Sequence, residues 1–538
     1  METELKLSIH IRHAGILRKH PLLKEYAVRN PRRQQMSDTY FDTPDLHLWR
    51  SKFGLRVRQT GKRWIQTLKG GGSAAGGLHQ RHEWESALDG PLPDLAALQK
   101  RVAGEKAWAV LLQCAGKNIQ PVFTTQITRT VWDLRLPTGE EVEFVLDQGY
   151  VQSGDRRKDI SEIELELKSG KAVHLFELAL QLQKKIPLRI CDISKAQRGY
   201  ILYLSQQAQP QAPSAVKASE LVLRKKMDAE QAFRVILGNC VAQIQGNEAG
   251  VADSDAPESL HQMRVGLRRL RSAFGLYKDI VIVPKQVEED MEWLSGQLGA
   301  ARDWDVLAHS TLAAVAEAAD IMPAGVQLAP LQAAALAEAG KKHEAAAVAV
   351  RSPRFARLVL NLSARAHGAG WNDPGREDVQ QELDKRIIKF AGRKMEQAQR
   401  RLYKCGKRGK QVHATDVVAQ GPTGESGHGM QAEVHARHRL RIASKKLRYT
   451  AEFFHSLFPS RRMRLYMEAM TGLQEILGQC NDVVVASGLL GQLQQAHAEL
   501  GVPVGFARGC LAARAEHAIA AMEKQWRHLE TIELPGKS

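Results

Sequence analysis

The spacing of apolar residues changes once along the chain, near residue 205, and this change constrains the fold more than any other feature. Residues 1–205 consist of short segments in which apolar and polar residues alternate between Gly, Pro, Asp and Asn, a pattern typical of antiparallel β-structure. Residues 206–218 are polar and contain prolines, which predicts an extended linker. Residues 219–530 have long segments with helical spacing. We therefore expect an α+β multidomain protein.

The β-like segments carry charges on one face of each predicted strand. Glu2, Glu4 and Lys6 alternate with mostly apolar residues, and a single strand of this kind is compatible with a solvated outer face. Further charged residues follow the same pattern or lie on neighbouring segments: Arg56, Arg58, Lys69, Arg81, Glu83, Glu85, Arg129, Glu143, Asp147, Glu162, Glu164, Glu166 and Lys168. This recurrence predicts that the charges converge inside a barrel. Carboxylates there would hold Mg²⁺ or Mn²⁺, and Lys and Arg would hold phosphate oxygens.

Several ordered motifs in residues 1–205 resemble the CYTH domain of triphosphate tunnel metalloenzymes. They are Glu2-x-Glu4-x-Lys6, ThrTyrPheAspThrPro at 39–44, LeuArgValArg at 55–58, ThrLeuLys at 67–69, GluIleGluLeuGlu at 162–166 and SerLysAla at 194–196. The resemblance implies an eight-stranded antiparallel barrel that forms a tunnel, with a linear triphosphate lying along it. GlyGlyLeuHisGlnArg at 76–81 and the helical tail are similar to those of bacterial inorganic triphosphatases that carry a second domain called CHAD.

The resemblance also implies roles for individual residues. The metal ligands of a Mg²⁺ or Mn²⁺ cofactor would be Glu2, Glu4, Glu162 and Glu164, with Glu83 and Asp147 as further candidates. Phosphate groups would contact Lys6, Arg56, Arg58, Lys69, Arg81, Arg129, Lys195 and Arg198. The resemblance implies catalytic roles for Glu2, Glu4, Lys6, Arg56, Arg58 and Lys69. The implied reaction is metal-dependent hydrolysis of inorganic triphosphate to pyrophosphate and phosphate.

The helical segment contains an internal repeat. A basic motif at 261–271 recurs 177 residues later at 438–448. A second motif, at 298–303, is similar to residues 477–482. The repeat predicts two related helical bundles that face each other. In each copy four basic residues at positions i, i+3, i+7 and i+10 share one helix face: His261, Arg264, Arg268 and Arg271, then His438, Arg441, Lys445 and Arg448.

This repeat resembles the CHAD domain over most of residues 219–530. The resemblance implies that inorganic polyphosphate binds between the two bundles, at those eight basic residues. The copies differ, because Lys446 stands where the first copy has Arg269, and Asn481 stands where it has Arg302. We therefore expect the two halves to contribute unequally.

The charge balance favours polyanionic partners. Lys and Arg number 76 against 59 Asp and Glu, a net charge of +17 that leaves nucleic acid, anionic lipid and polyphosphate open. We do not expect nucleic acid, because aromatic residues make up only 6% of the chain and no stacking motif is recognisable. Scattered cysteines and the lack of a long apolar run predict a soluble protein with no membrane partner. We expect a cytoplasmic location, with association with polyphosphate granules as a further expectation.

Two other functions remain open at this point. The same tunnel would suit thiamine triphosphate, a nucleoside triphosphate, or ATP cyclised to cyclic AMP, because these activities share the fold. Alternatively, the chain would be a polyphosphate-binding or granule-targeting protein with weak or no catalysis. The carboxylates of the charged strands argue against that alternative, because an anion binder gains nothing from carboxylates that face its ligand unless metals intervene.

Overall fold

The computed structural model describes residues 2–114, 118–207, 213–254, 257–319, 326–368, 370, 377–419 and 426–535. The chain divides into two compact units. The barrel unit comprises Met1–Ala212 and Ser352–Ala369, and the helical unit comprises Pro213–Arg351 and Gly370–Ser538. The linker at 206–218 stays a prediction, and its residues 208–212 lie outside the described residues.

Nine strands form one antiparallel sheet in the barrel unit. They are β1 (Glu2–Ile9), β2 (Arg32–Asp42), β3 (Phe53–Thr60), β4 (Arg63–Ala75), β5 (Leu78–Leu88), β6 (Gln120–Arg135), β7 (Glu141–Ser153), β8 (Arg156–Ser169) and β9 (Leu188–Ile190). Neighbours follow the order β5-β4-β3-β2-β6-β7-β8-β1-β9, and β1 also pairs with β5. That pairing closes eight strands into a barrel, which confirms the prediction, while β9 pairs with the last residues of β1.

Short helices cover the outside of the barrel. They are α1 (Ala14–Arg18), α2 (Pro21–Tyr26), α3 (His47–Arg50), α4 (Leu95–Arg101), α5 (Lys106–Leu112), α6 (Val173–Gln183), α7 (Lys195–Gln207) and, from later in the chain, α14 (Pro353–Ala366). Apolar residues of the wall pack against them, as Leu55 of β3 and Leu68 of β4 do with Leu98 and Leu111. The alternating pattern therefore places apolar side chains outside and leaves the charged ones for the interior.

Helix α14 belongs to the barrel unit although it lies inside the range predicted for the helical domain. It packs on α6, and the ring of His367, just beyond α14, stacks on Phe176 with centroids 5.1 Å apart. Gly76 contacts the same helix so closely that an added Cβ would lie 2.5 Å from Ser363 Oγ. No local sequence pattern distinguishes this helix from its neighbours, because its position depends on tertiary contacts.

The helical unit contains the remaining helices. They are α8 (Ala229–Gly246), α9 (Glu248–Asp253), α10 (Pro257–Tyr277), α11 (Lys285–Asp305), α12 (Leu312–Ala319), α13 (Ala329–Arg351), α15 (Glu377–Leu383), α16 (Ile387–Ala419), α17 (Ser426–Phe454), α18 (Ser460–Ala496) and α19 (Gly501–Glu530). A π-helical turn, Val306–Thr311, separates α11 from α12. None of the described helices is both long and apolar enough to cross a bilayer.

The two halves of the helical unit follow the same order of packing. In the first half α8 packs on α10, α10 on α11 and α11 on α13; in the second half α16 packs on α17, α17 on α18 and α18 on α19. The two basic motifs lie on α10 and α17, which pack on each other. The second pair of similar motifs, 298–303 and 477–482, lies on α11 and α18. This arrangement confirms the prediction of two related helical bundles.

Candidate functional site

The interior of the barrel holds a cavity of ≈ 980 Å³. Fourteen of the charged residues predicted for the barrel interior line it: Glu2, Glu4, Lys6, Arg56, Arg58, Lys69, Arg81, Glu83, Glu85, Arg129, Glu164, Glu166, Lys168 and Lys195. Asp147 and Glu162 are fully buried behind this lining, and Arg198 lies beside them. The cavity therefore brings many cationic and anionic side chains together, beside a smaller number of aromatic and glycine residues.

Strand register explains why these side chains meet. β1 pairs with β8 so that Lys6 lies opposite Glu164, and it pairs with β5 so that Glu2 lies opposite Arg81. β6 and β7 place Arg129 opposite Asp147. Since directly opposed residues point to the same face of an antiparallel pair, each pairing brings two charged groups to the interior.

Glu164 is the carboxylate shared by the most cations in the cavity. It pairs with Lys6, with Lys195 at 2.8 Å and with Arg129 at 2.9 Å. Burial alone would raise the pKa of Glu164, but Lys195, Lys6 and Arg129 hold it well below its ordinary value. Burial likewise opposes protonation of Lys6, and Glu164 and Glu4 nevertheless raise the pKa of its ammonium. The carboxylate and its cations are therefore charged together.

Three buried carboxylates form a cluster that offers oxygen ligands to a metal ion. Oxygens of Asp147, Glu162 and Glu164 all lie within 4.8 Å of one another. Lys195 Nζ lies 2.7, 2.5 and 2.8 Å from them, respectively. Arg129 adds a bidentate pair to Asp147, with distances of 2.8 and 2.6 Å. These cations offset the mutual repulsion of the carboxylates, which are 0 to 6% exposed.

A second group of charges surrounds Lys69. Its ammonium lies 2.9 Å from Glu2 Oε2 and 3.1 Å from Glu83 Oε2. Glu83 also contacts the Arg56 guanidinium at 3.4 Å. The predicted ligand Glu83 is therefore a bridge between two cations, and it lines the cavity some distance along the wall from the buried cluster.

Sequence reasoning missed Asp38 of β2. Its carboxylate is 2% exposed and forms a bidentate pair with Arg58, with distances of 2.7 and 2.9 Å. Burial opposes its ionisation, but Arg58 and Arg56 lower the pKa of Asp38 to about 2. The only pattern in the sequence that indicates an inward-facing Asp38 is its alternation with Met36 and Tyr40 along β2. It is weak because one charge among apolar and aromatic neighbours does not mark an inward face.

Six of the eight predicted basic residues of the helical unit lie close together on α10 and α17, and Arg302 of α11 joins them. We call this set the basic cluster: His261, Arg264, Arg268, Arg302, Arg441, Lys445 and Arg448. Arg264 pairs with Asp303 at 2.9 Å. Arg268 lies within electrostatic range of Arg264, Arg448 and Arg302. Residues of the two repeats therefore face one another, as the duplicated motif predicts.

Positive charge in the basic cluster is only partly neutralised. Burial and the charges of Arg441, Arg268 and Arg264 lower the pKa of Lys445 to about 7. Burial and neighbouring cations also lower the pKa values of Arg268 and Arg441. Such crowding is typical of a site that is completed by an anion.

Two of the predicted residues differ from the other six in exposure. Arg271 and His438 are exposed, whereas the other six are half-buried. Arg269, adjacent to the motif's stripe, is buried instead, where it pairs with Glu452 at 2.7 Å and donates to Gln243 and Asn239. Arg269 therefore joins α8, α10 and α17.

Comparison with protein families agrees with this division of the chain. Residues 1–200 match the model of the CYTH domain, and residues 235–491 match the model of the CHAD domain. The chain joins a CYTH domain to a CHAD domain. The barrel cavity belongs to the CYTH domain, and the basic cluster belongs to the CHAD domain.

Individual relatives match one domain each. The inorganic triphosphatase of Haemophilus influenzae is 33% identical over 202 residues, which are 37% of this chain and 54% of that protein, so the match spans about half of the relative's length. The CHAD domain of the plant Ricinus communis is 35% identical, covering 60% of this chain and 98% of that one, with a TM-score of 0.49. A putative adenylyl cyclase from Hippeastrum, described as having dominant triphosphatase activity, is 19% identical, covering 39% of this chain and 98% of that one, with a TM-score of 0.29.

Proposed function

We propose that the CYTH domain hydrolyses inorganic triphosphate to pyrophosphate and phosphate with the help of Mg²⁺ or Mn²⁺. The observation that carries this proposal is the cavity, in which cations and carboxylates alternate beside three buried carboxylates. A linear triphosphate offers anionic oxygens along its whole length, so its best surroundings are Lys and Arg side chains with metal-holding carboxylates between them. The relative from Haemophilus influenzae is an inorganic triphosphatase, which supports the same class of reaction.

The donor set fits a divalent cation that prefers oxygen. Asp147, Glu162 and Glu164 supply clustered carboxylate oxygens, and neither oxygen of Glu162 has a well-aligned hydrogen-bond donor. Glu2 and Glu4, the other proposed ligands with Glu83 as a further candidate, line the same cavity. When bound, the cation would polarise phosphate oxygens and lower the pKa of a bound water. Lys195, which contacts all three clustered carboxylates, would share them with the metal.

The cationic residues bind and orient the substrate. Phosphate oxygens would be held by Lys6, Arg56, Arg58, Lys69, Arg81, Arg129, Lys195 and Arg198. Because carboxylates such as Asp38 and Asp147 already hold the arginines in bidentate pairs, these side chains are ordered before the substrate arrives. Ordered cations stabilise the charge that develops on the transferred phosphoryl group and on the leaving pyrophosphate without further reorganisation. A carboxylate of β1, Glu2 or Glu4, would accept the proton of the attacking water.

We also propose that the CHAD domain binds inorganic polyphosphate at the basic cluster. The crowded cations of α10 and α17 gain a neutralising partner when a polyanion binds, and the lowered pKa of Lys445 returns toward its ordinary value. Arg271 and His438 would contribute from the exposed margin of the cluster. The cytoplasmic location and the association with granules stay predictions.

A second candidate substrate is a triphosphate that carries a ring, such as a nucleoside or thiamine triphosphate. Tyr40, Trp49 and Tyr200 line part of the cavity, and aromatic faces of this kind stack on bases. Trp49 and Tyr200 already stack on each other, with centroids 4.6 Å apart, which leaves less aromatic surface for a ligand. Inorganic triphosphate is therefore the favoured substrate.

The deciding experiment measures phosphate release from tripolyphosphate, pyrophosphate, long-chain polyphosphate, ATP and thiamine triphosphate with Mg²⁺, with Mn²⁺ and with EDTA. We expect rapid release from tripolyphosphate that EDTA abolishes. Glu4→Gln should abolish this release while the far-ultraviolet circular dichroism stays unchanged. Release mainly from ATP or thiamine triphosphate would favour the second candidate, and tight long-chain binding with no release would leave a polyphosphate-binding protein.

A further inference from the structure

The loop between β2 and β3 contains two cations that the proposed mechanism does not use. Arg50 ends helix α3, and Lys52 follows it before β3 begins. Both residues are exposed and both line the barrel cavity, so they lie where the cavity meets solvent. Neither has a carboxylate oxygen within 4 Å in the described part of the chain, in contrast to most of the cations deeper in the cavity.

Asp42, the last residue of β2, holds this loop in place through hydrogen bonds. Its fully buried carboxylate accepts hydrogen bonds from the amides of Leu48 and Trp49, both at 2.9 Å, and from the hydroxyl of Tyr200 at 2.8 Å. Trp49 in turn stacks on Tyr200 of α7. Helix α3 is therefore attached to the barrel at its start, and the residues at its end are positioned by it.

The backbone of the loop is strained on both sides of α3. Leu46 and Lys52 are the two non-glycine residues with positive φ in the described part of the chain, with φ of 53° and 63°. Side chains with a Cβ rarely adopt this conformation, and it persists where the surroundings determine it and where it serves a function. At Lys52 the positive φ occurs at a lysine whose ammonium has no carboxylate oxygen within 4 Å among the described residues. This lysine lines the cavity that we propose binds phosphate.

Resting on the triphosphatase function proposed above, we infer that Arg50 and Lys52 form a subsite for an additional phosphate of the substrate chain. The paired cations deeper in the cavity hold the phosphates beside the buried carboxylates. A chain longer than triphosphate would extend toward solvent, where the two unpaired cations can bind its next phosphate without displacing any carboxylate. The subsite thus adds affinity for linear chains of four or more phosphates and extends the range of chain lengths that the cavity accepts beyond triphosphate.

Full-length variants test this assignment. Lys52→Gly removes the ammonium and suits the positive φ, Arg50→Gln removes the guanidinium charge, and Lys52→Arg keeps a cation. Lys62→Ala is the matched control, because it removes a lysine from the exposed β3–β4 turn, which does not line the cavity. Steady-state kinetics with tripolyphosphate and tetrapolyphosphate give KM and kcat separately.

We expect Lys52→Gly and Arg50→Gln to raise KM for tetrapolyphosphate about tenfold, the size of effect typical of one charge-assisted contact, with a clearly smaller change for tripolyphosphate. Lys52→Arg should restore most of the affinity, and Lys62→Ala should match the wild type. Equal changes for both substrates, or none, would overturn the subsite. If the wild-type protein releases no phosphate from either substrate, the proposed function fails. In that case, the affinity of the same variants for tetrapolyphosphate, measured by calorimetry, tests the subsite independently of catalysis.

Discussion

Positive charge is neutralised in the barrel cavity and left crowded in the basic cluster of the CHAD domain. In the cavity, burial alone would lower the pKa of Lys195, but Asp147, Glu162 and Glu164 raise it well above its ordinary value. In the basic cluster, burial and neighbouring arginines lower the pKa of Lys445 to about 7. The ammonium of a buried lysine is thus stabilised by carboxylates in one site, and that of a half-buried lysine is destabilised by arginines in the other.

This contrast indicates two ways to bind a polyanion. A cavity of paired charges has fixed geometry and little excess charge. Under the proposed function it would gain affinity and rate from the placement of its charges and from a divalent cation held by the carboxylates. A cluster of crowded cations has excess charge, so it gains affinity from neutralisation and accepts a polymer in many registers. The first suits catalysis on a short substrate, and the second suits retention of a long one.

The largest effect is expected for Glu164→Gln in the cavity. The amide keeps the shape but cannot neutralise Lys6, Lys195 and Arg129 or offer an anionic metal ligand. We expect tripolyphosphate hydrolysis to fall at least about 100-fold, or about 2.7 kcal/mol, with polyphosphate binding unchanged. Phosphate release at saturating substrate measures the loss.

Asp133→Asn is the matched control for that variant, because Asp133 also pairs with an arginine, Arg32 at 3.1 Å, but does not line the cavity. It should keep wild-type activity. Thermal unfolding by circular dichroism verifies that both variants fold. A folded Glu164→Gln enzyme that retains more than half of its activity would show that the paired charges serve the fold alone.

The second effect concerns Arg264 and Arg441, one from each repeat. Reversing both charges, as Arg264→Glu with Arg441→Glu, should weaken binding of long-chain polyphosphate about 100-fold, because each change replaces attraction by repulsion at a crowded site. Tripolyphosphate turnover should stay the same. Calorimetry and phosphate release measure the two properties in one preparation.

Lys285→Glu serves as the control for charge reversal, since its side chain is 88% exposed at the start of α11, away from the cluster. Equal loss of binding and turnover in the Arg264 and Arg441 variant would contradict the separation of the two sites. Loss of binding in the Lys285 variant would mean that net charge, rather than the cluster, retains the polymer.

A third, smaller effect follows from Lys445. Because its pKa is about 7 in the free protein, the ammonium is mostly charged at pH 6 and mostly neutral at pH 8. Polyphosphate affinity should therefore fall as pH rises through this range, by up to about tenfold. Lys445→Arg stays charged and should lose this part of the dependence. The histidines and the polymer titrate equally in both proteins, so an unchanged pH profile in Lys445→Arg would contradict the assignment.

The sequence predicted the parts of these sites that depend on periodicity. Alternation identified the inward faces of β1 and β8, because charged residues at every second position cannot be mistaken for an apolar core face. The repeat located the stripes of α10 and α17, because equal spacing on a helix fixes a common face. Arg271 shows the limit, since it shares the stripe with Arg264 and Arg268 but is exposed where those two are half-buried.

What the sequence missed depends on contacts between distant segments. The neighbours of Asp38 on its face of β2, Met36 and Tyr40, are uncharged, and the importance of Asp38 comes from its pair with Arg58 on the neighbouring strand. Arg50 and Lys52 reach the cavity because Asp42 and Tyr200 hold their loop. Helix α14 joins the barrel unit through packing on α6 that no local pattern encodes.

The smallest effect is expected where the two repeats differ. Arg302 of α11 adds to the charge around His261 and Arg268, whereas the second copy has Asn481 at the equivalent position. Arg302→Asn should weaken polyphosphate binding about threefold, because one partly exposed contact is lost. Adding Asn481→Arg moves the arginine to the other repeat at constant net charge. Calorimetry that finds wild-type affinity in the double variant would mean that the cluster senses only its total charge. A persistent threefold loss would mean that the polymer lies closer to the first repeat.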